Sequence, residues 1–150
     1  MARHQDGPGL GYLVKWVERG IRLQLDAALR PLRVTTPQYT ALSVLRDGRE
    51  LSSAQLARRT FVSAQAMHPI VVALDRRGLI ARRADPEHGR IQLVSLTAHG
   101  RMTLAACDEA CAAAEMRLFG ELSRVEVEAL RRGLTKCAGA MRRVRRLRAA

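Results

Sequence analysis

Residues 51–78, LSSAQLARRTFVSAQAMHPIVVALDRRG, hold two helix starts so close together that the first helix has room for barely two turns. Ser52 or Ser53 caps the first, Thr60-Phe61-Val62 turns the chain, Ser63 caps the second, and Gly78 stops it. A short helix, a tight turn and a longer amphipathic helix have the organisation of a helix-turn-helix. In the second helix Met67, Ile70, Val71 and Leu74 fall at steps of three and four and are predicted to face the core. Gln65, Pro69, Val72 and Arg76 then point outward, with His68 at the flank. Gln, His and Arg near the start of such a helix are groups that can hydrogen-bond base edges in a major groove.

The segment after the second helix is as specific. LIARRA from Leu79 and RIQLVSL from Arg90 have strand character, and DPEHG between them carries turn residues, so a hairpin is expected. Placed directly after a helix-turn-helix, a hairpin is a wing. Arg82 and Arg83 lie on its rising strand and Arg90 at its tip, where a narrow minor groove attracts inserted arginine. Asp85 in the tip is useful against phosphate only if it orients Arg90 by an ion pair across the hairpin. LTAHGR then starts another helix with Thr97 as N-cap, and upstream VTTPQYTALSVL starts one with Thr36 as N-cap and Pro37 at the first helical position, stopped by Asp47 and Gly48.

Charge points the same way. Lys and Arg total 26 against 14 acidic residues, a net +12, and 24 of the 26 are arginine. Such a surface seeks a polyanion, most simply nucleic acid, although high-GC coding also enriches arginine. At 150 residues and 47% hydrophobic the chain is of one-domain size, and 3% aromatics with abundant Ala, Leu and Arg favour helix. No apolar run is long enough to span a bilayer and MARHQDGPG lacks the apolar stretch of a signal peptide, so no membrane partner and a cytoplasmic location are expected.

The flanking segments want partners. From Gly9 to Leu29, Leu10, Leu13, Val14, Val17, Ile21 and Leu25 form one apolar stripe, and Tyr12, Trp16, Leu23 and Ala27 a second on the opposite side; Pro31 ends this helix. Near the other end, Leu104, Cys107, Cys111, Ala114 and Leu118 repeat the same steps. After a capping box from Ser123 to Glu126, Val127, Leu130, Leu134, Cys137, Met141 and Val144 make a coiled-coil-like seam. All three cysteines therefore read as small buried hydrophobes. Cys107 and Cys111 with His99 lack a fourth ligand for a metal, so no metal or cofactor is expected. The arginines of MRRVRRLRAA suit a helix C-terminus.

The blocks LSSAQLARR, VSAQAM, LDRRGLI, RRADPEHGR and VSLTAHGR, in this order and spacing, resemble the MarR-type regulators of antibiotic resistance and aromatic-compound metabolism. The wing Asp85 and Arg90 match that family's Asp and Arg. Three positions depart from it: His88 stands where a second wing Asp is frequent, Phe61 where the turn often has Gly, and Pro69 where a polar residue is common. The resemblance implies a mainly α fold with a small antiparallel β-hairpin. A winged helix-turn-helix over 36–97 would sit between dimerisation helices at 9–30 and 98–148, within one domain spanning 1–150. It further implies a homodimeric, sequence-specific DNA-binding transcriptional regulator, a ligand-responsive repressor on a palindromic operator. Its double-stranded DNA contacts would be Ser63, Gln65, Ala66, His68, Pro69, Arg76, Arg82, Arg83 and Arg90. Family members bind small aromatic or lipophilic ligands between the dimerisation helices and the winged domain, and Tyr12, Trp16 and Tyr39 are the candidate lining. The alternative is a basic architectural protein that coats DNA without sequence preference. An enzyme is not expected: Ser63 with His68, or the cysteines with His99, lack a carboxylate or oxyanion motif, and there is no phosphate-binding glycine loop.

Overall fold

A computed structural model describes residues 7–148, with side chains from 7 to 141. Among the described residues it is mainly α, with six α-helices and one three-stranded antiparallel sheet. The chain divides into two compact units, residues 1–114 and 115–150.

In the first unit α1 spans Leu10–Leu29. Pro31 does not cut the chain off abruptly: a 3-10 turn, Arg30–Leu32, carries it on, and Arg33 closes the turn in the left-handed region at φ 56. Helix α2, Thr36–Val44, is capped by Thr35 rather than Thr36. Thr35 Oγ1 accepts from the Gln38 N–H at 3.3 Å while Gln38 Oε1 accepts from the Thr35 N–H at 3.0 Å. A capping box needs its Glu or Gln three residues on, and only Thr35 has one at that distance. Thr36 is left to donate its hydroxyl to Asp26 of α1 at 2.5 Å.

The next two helices start as their serines dictate. Ser52 and Gln55 form a second capping box for α3, Ser53–Thr60, and Ser63 Oγ accepts from Ala66 N–H at 3.1 Å at the head of α4, Ala64–Arg76. Helix α4 ends in a Schellman motif: Gly78, at φ 65, donates to the Asp75 carbonyl at 2.8 Å and Leu79 to that of Leu74 at 3.0 Å. Arg77 then donates to the carbonyls of Arg33 and Leu32, tying this end of α4 to the turn after α1.

Strands β2, Ile80–Ala84, and β3, Gln92–Leu96, pair antiparallel from Ile80↔Leu96 to Ala84↔Gln92. The sheet has a third member. β1, Leu51–Ser52, pairs with the other edge of β3 through Leu51↔Val94 and Ser52↔Leu93. Two residues are too short to show alternation, and these two also read as a helix cap. Helix α5, Ala98–Phe119, follows at once. Thr97 Oγ1 accepts from Gly100 N–H at 2.9 Å and donates to the Gly78 carbonyl at 2.6 Å. A β-carbon on Gly100 would lie 1.9 Å from the Leu79 carbonyl oxygen, so only glycine fits where α5 passes the end of α4.

One core joins α2, α3, α4 and the sheet around Leu42, Leu45, Leu56, Met67, Leu74 and Leu79, all fully buried. Met67, Val71 and Leu74 are buried and Ile70 packs against them, matching the predicted inward face. A smaller cluster holds Leu29 and Val34 with Cys107 and Cys111 of α5. Helix α1 contributes little to either, since only Leu29 is buried along its length.

The second unit contains α6, Arg124–Arg148. Its capping box forms as expected: Ser123 N–H donates to Glu126 Oε2 at 2.9 Å and Glu126 N–H to Ser123 Oγ at 3.4 Å. Val125, Leu130, Leu134 and Met141 are exposed, and so is Cys137. The expectation that all three cysteines are buried is corrected for Cys137, because its seam is open in the single chain. Val144 and the side chains of the arginine-rich tail lie outside the described residues.

Candidate nucleic-acid interface

Helix α4 presents every residue of its own that the sequence assigns to DNA. Ser63, Gln65, Ala66, His68, Pro69 and Arg76 are all exposed while the opposite side of the helix fills the core. The helix continues through Pro69 to Arg76. Proline has no N–H to give the Gln65 carbonyl, so that acceptor loses its donor from the next turn.

The wing arginines fare differently from one another. Arg82 reaches Asp75 of α4, Nη1 to Oδ2 at 3.5 Å. Arg83, on the other face of β2, is gripped by Glu50 just before β1: its Nε donates to Oε1 at 2.7 Å and its Nη2 to Oε2. The guanidinium holds the Glu50 carboxyl below the usual carboxylate range. Arg90 stands exposed at the tip. The expected Asp85–Arg90 pair is not what Asp85 makes. Asp85 Oδ1 accepts from the Glu87 N–H at 2.9 Å, Oδ2 lies 4.0 Å from His88 Nδ1, and the Asp85 N–H donates to the Ile91 carbonyl at 2.8 Å. Asp85 therefore shapes the turn, as Asx side chains do, and leaves the Arg90 guanidinium unneutralised by it.

Sequence reasoning passed over Arg58 and Arg59, exposed in the last turn of α3. In a helix-turn-helix the first helix crosses the backbone of the duplex, where cations belong. The signal was available as two arginines ahead of the turn. Glu50 had none, being 33 residues from its partner.

The three aromatics expected to line a ligand cleft are not brought together. Tyr12 and Trp16 are 65% and 67% exposed on α1, beside Lys15 and Arg19. The Tyr39 hydroxyl donates to Asp108 Oδ1 at 2.9 Å, and Arg46 clasps the same carboxylate at 2.6 and 2.8 Å. Burial, then this hydrogen bond, push the Tyr39 phenol up, while Arg46 first and Tyr39 second hold Asp108 low. A cleft of about 390 Å³ lies instead between α1, α2 and α4, floored by Ile21, Leu25, Pro37, Val62, Met67 and Ile70. Glu18, Arg22 and Asp26 stand at its α1 side, with Arg22 paired to Glu18 at 2.5 Å.

The architecture agrees with that of known proteins. A family model described as MarR family matches residues 34–91. The HTH-type transcriptional repressor Rv2887 of Mycobacterium tuberculosis is 35% identical over 136 residues, 91% of this chain and 97% of the relative. The chain belongs to the MarR family. The crystal structure of the M. tuberculosis MarR family protein Rv2887 in complex with DNA matches with a TM-score of 0.74 at 32% identity, covering 87% of this chain and 98% of that one. The same protein in complex with salicylic acid matches at a TM-score of 0.72 and 35% identity, covering 88% and 98%. Within this MarR-family chain the matched span runs from Val34 to Ile91 and takes in every candidate DNA-contacting residue from Ser63 to Arg90, but neither Tyr12 nor Trp16. No helix among the described residues is long and apolar enough to cross a membrane.

Proposed function

We propose that this MarR-family chain is a ligand-responsive transcriptional repressor that binds a palindromic operator as a homodimer in the cytoplasm, and that it is a regulator and not an enzyme. The observation that carries the reading is the exposed face of α4, flanked by a wing whose tip arginine is not neutralised by the neighbouring Asp85. Gln65 and His68 would read base edges in the major groove, with Ser63, Ala66 and Pro69 packed close to the same groove and Arg76 on backbone phosphate. Arg90 would enter the minor groove, and Arg82 and Arg83 would lie along its walls. A relative solved with DNA supports the assignment.

The homodimer rests on apolar surface with nothing over it in one chain. Leu10 and Val14 on one side of α1, Trp16 and Leu23 on the other, and Val125, Leu130, Leu134 and Met141 on α6 are exposed, and many large apolar side chains left in water on two helices favour an interface. Two-fold symmetry then demands a palindrome, with reading helices about 34–36 Å apart. The ligand would be a small aromatic acid held in the α1–α2–α4 cleft, its ring on Leu25, Met67 and Ile70 and its carboxylate toward Arg22. A salicylic acid complex of a relative supports that chemistry. Tyr12 and Trp16 are better suited to the dimer contact, and Tyr39 to holding α5 through Asp108.

Selection of duplexes from a random pool tests the reading. A two-fold symmetric consensus, a dimeric mass in light scattering at micromolar concentration, and release of the selected duplex by salicylate are expected. The net charge of +12 favours the second reading, a sequence-indifferent coating protein. Equal competition by selected and unrelated duplex, or a stable monomer, would sink the first.

A further inference from the structure

Pro69 stands in the interior of α4, past its first turn, and the helix runs unbroken through it from Ala64 to Arg76. Proline is the poorest residue for such a position, because it has no N–H and its ring crowds the carbonyl one turn back. The core does not offset that cost. The inward side of α4 is filled by Met67, Val71 and Leu74 with Ile70 against them, while Pro69 lies exposed on the opposite side. A residue that breaks the local rule for a helix, and does so at the surface, points to a task outside the fold.

The rest of the exposed face narrows that task. Gln65 and Ala66 lie one turn before Pro69, and Val72 and Ala73 one turn after it. Gln65 and His68 carry hydrogen-bonding groups toward one end of this face, and Arg76 carries charge at the other. Between them Ala66, Pro69, Val72 and Ala73 offer hydrocarbon alone, on a chain with 26 Lys and Arg. A face that met only phosphate would be charged along its middle. The floor of the major groove differs from the phosphates in carrying one apolar group, the C5-methyl of thymine. Proline suits it, since the ring is rigid and loses no rotamer freedom on contact.

We propose that Pro69 is a specificity-determining residue whose ring packs against the 5-methyl group of a thymine in each operator half-site. The proposal rests on the operator-binding reading given under Proposed function and names what the centre of that helix face recognises. It gives the apolar middle of α4 a share in sequence recognition through contact with a methyl group, without any hydrogen bond.

Replacing thymine by deoxyuridine removes that methyl and keeps every hydrogen-bonding group, which makes the test direct. Duplexes selected from a random pool by the wild type are resynthesised with each thymine of the consensus changed in turn. Affinities are then measured for wild type, Pro69→Gly and Pro69→Ser. One half-site position should weaken the wild type about three- to fivefold when deoxyuridine replaces thymine, the worth of about one buried methyl. Both variants should be weakened on the all-thymine duplex, keep their affinity for unrelated duplex, and be indifferent to deoxyuridine at that position. Glycine and serine are both better helix formers than proline, so the variants should melt no lower than the wild type, and a loss of binding cannot then be blamed on unfolding. Variants that bind the selected duplex as tightly as the wild type, or that keep its deoxyuridine response, overturn the proposal. An equal loss on selected and unrelated duplex, or a lower melting temperature, would also overturn it by giving the ring a part in holding the helix. A wild type that selects no consensus would remove the operator reading and this proposal with it, whereas a consensus in which no thymine responds to deoxyuridine removes this proposal alone.

Discussion

Glu50 holds Arg83 by both carboxylate oxygens, a bidentate clasp from the approach to β1 onto the wing strand β2. Charge-assisted pairs of this fork geometry are the strong ones, although this one is open to solvent and screened. While it is closed, Arg83 is not offering its full charge to a phosphate. Glu50→Gln is expected to raise affinity for unrelated duplex and steepen the dependence of log affinity on log salt by about one. Binding to a selected duplex should gain less, so discrimination falls. Anisotropy titrations of both duplexes over a salt series check this, and an unchanged slope refutes it. The pair keeps the Glu50 carboxyl low. Its contribution is therefore present above the ordinary carboxylate value and is lost as pH falls through the lowered one, so acid should mimic the substitution.

Arg90 and Gln65 should fail in different ways. Arg90→Ala is expected to weaken selected and unrelated duplex alike and to reduce the salt slope by about one, since a guanidinium in the minor groove contributes mostly charge. Gln65→Ala should cost about 1–3 kcal/mol on the selected duplex with little change on unrelated DNA. If Arg90→Ala alters neither affinity nor slope, the hairpin tip does not touch DNA.

Asp108 gathers Arg46 and Tyr39 of the α2 region onto α5. Asp108→Asn should lower unfolding free energy by about 1–2 kcal/mol, a charged hydrogen-bond pair discounted for its part exposure. Because the folded carboxyl is held low, that stability is present above the ordinary carboxylate value and disappears as pH falls through the folded one. Denaturant midpoints of parent and variant should differ at neutral pH and converge in acid. A gap that persists in acid would mean that Asp108 works by shape and not by charge.

Thiol chemistry separates the cysteines. Burial pushes the Cys107 thiol up to about 11, so it is protonated at neutral pH and a poor nucleophile. Cys107 and Cys111 are expected to react with a thiol reagent only after unfolding, and Cys107→Ser to destabilise by about 1–3 kcal/mol through a hydroxyl placed among Leu29 and Val34. Cys137, exposed in the single chain, should react in folded protein diluted to monomer and be shielded as dimer forms over α6. Rapid labelling of Cys107 in the folded protein would contradict its burial.

Local signals are the legible ones. Ser63, Gly78, Thr97 and the Ser123–Glu126 box mark their helix ends because a cap acts within three or four residues of the chain. The period of Met67, Ile70, Val71 and Leu74 gives the inward side of α4 and, by subtraction, its outward side. Thr36 reads wrongly as the cap of α2 because threonine stands at both 35 and 36, and only the reach to Gln38 distinguishes them. β1 is hidden by its length, and Asp85 by having two partners within reach of one turn. Pairings such as Glu50–Arg83 and Arg46–Asp108 join residues far apart in sequence, and no periodicity announces them. Scarcity of Tyr and Trp says nothing about how the chain folds around them: Tyr12 and Trp16 share a pocket on α1, while Tyr39 turns to Asp108.

The small third strand has a bearing on how such a protein can be rebuilt. Leu51 opposes Val94 across the sheet, so the chain enters and leaves the α3–α4–wing segment at neighbouring positions, about 5 Å apart as adjacent strands are. A stretch whose two ends already meet can be exchanged without moving the chain at either end, provided the residues that pack on Leu42, Leu45 and Leu104 are kept. Residues 51–96 are thus a natural cassette for exchange between relatives, and a chimera should inherit the target sequence of the donor together with the Val62, Met67 and Ile70 side of the cleft, while Ile21, Leu25 and Pro37 stay with the recipient.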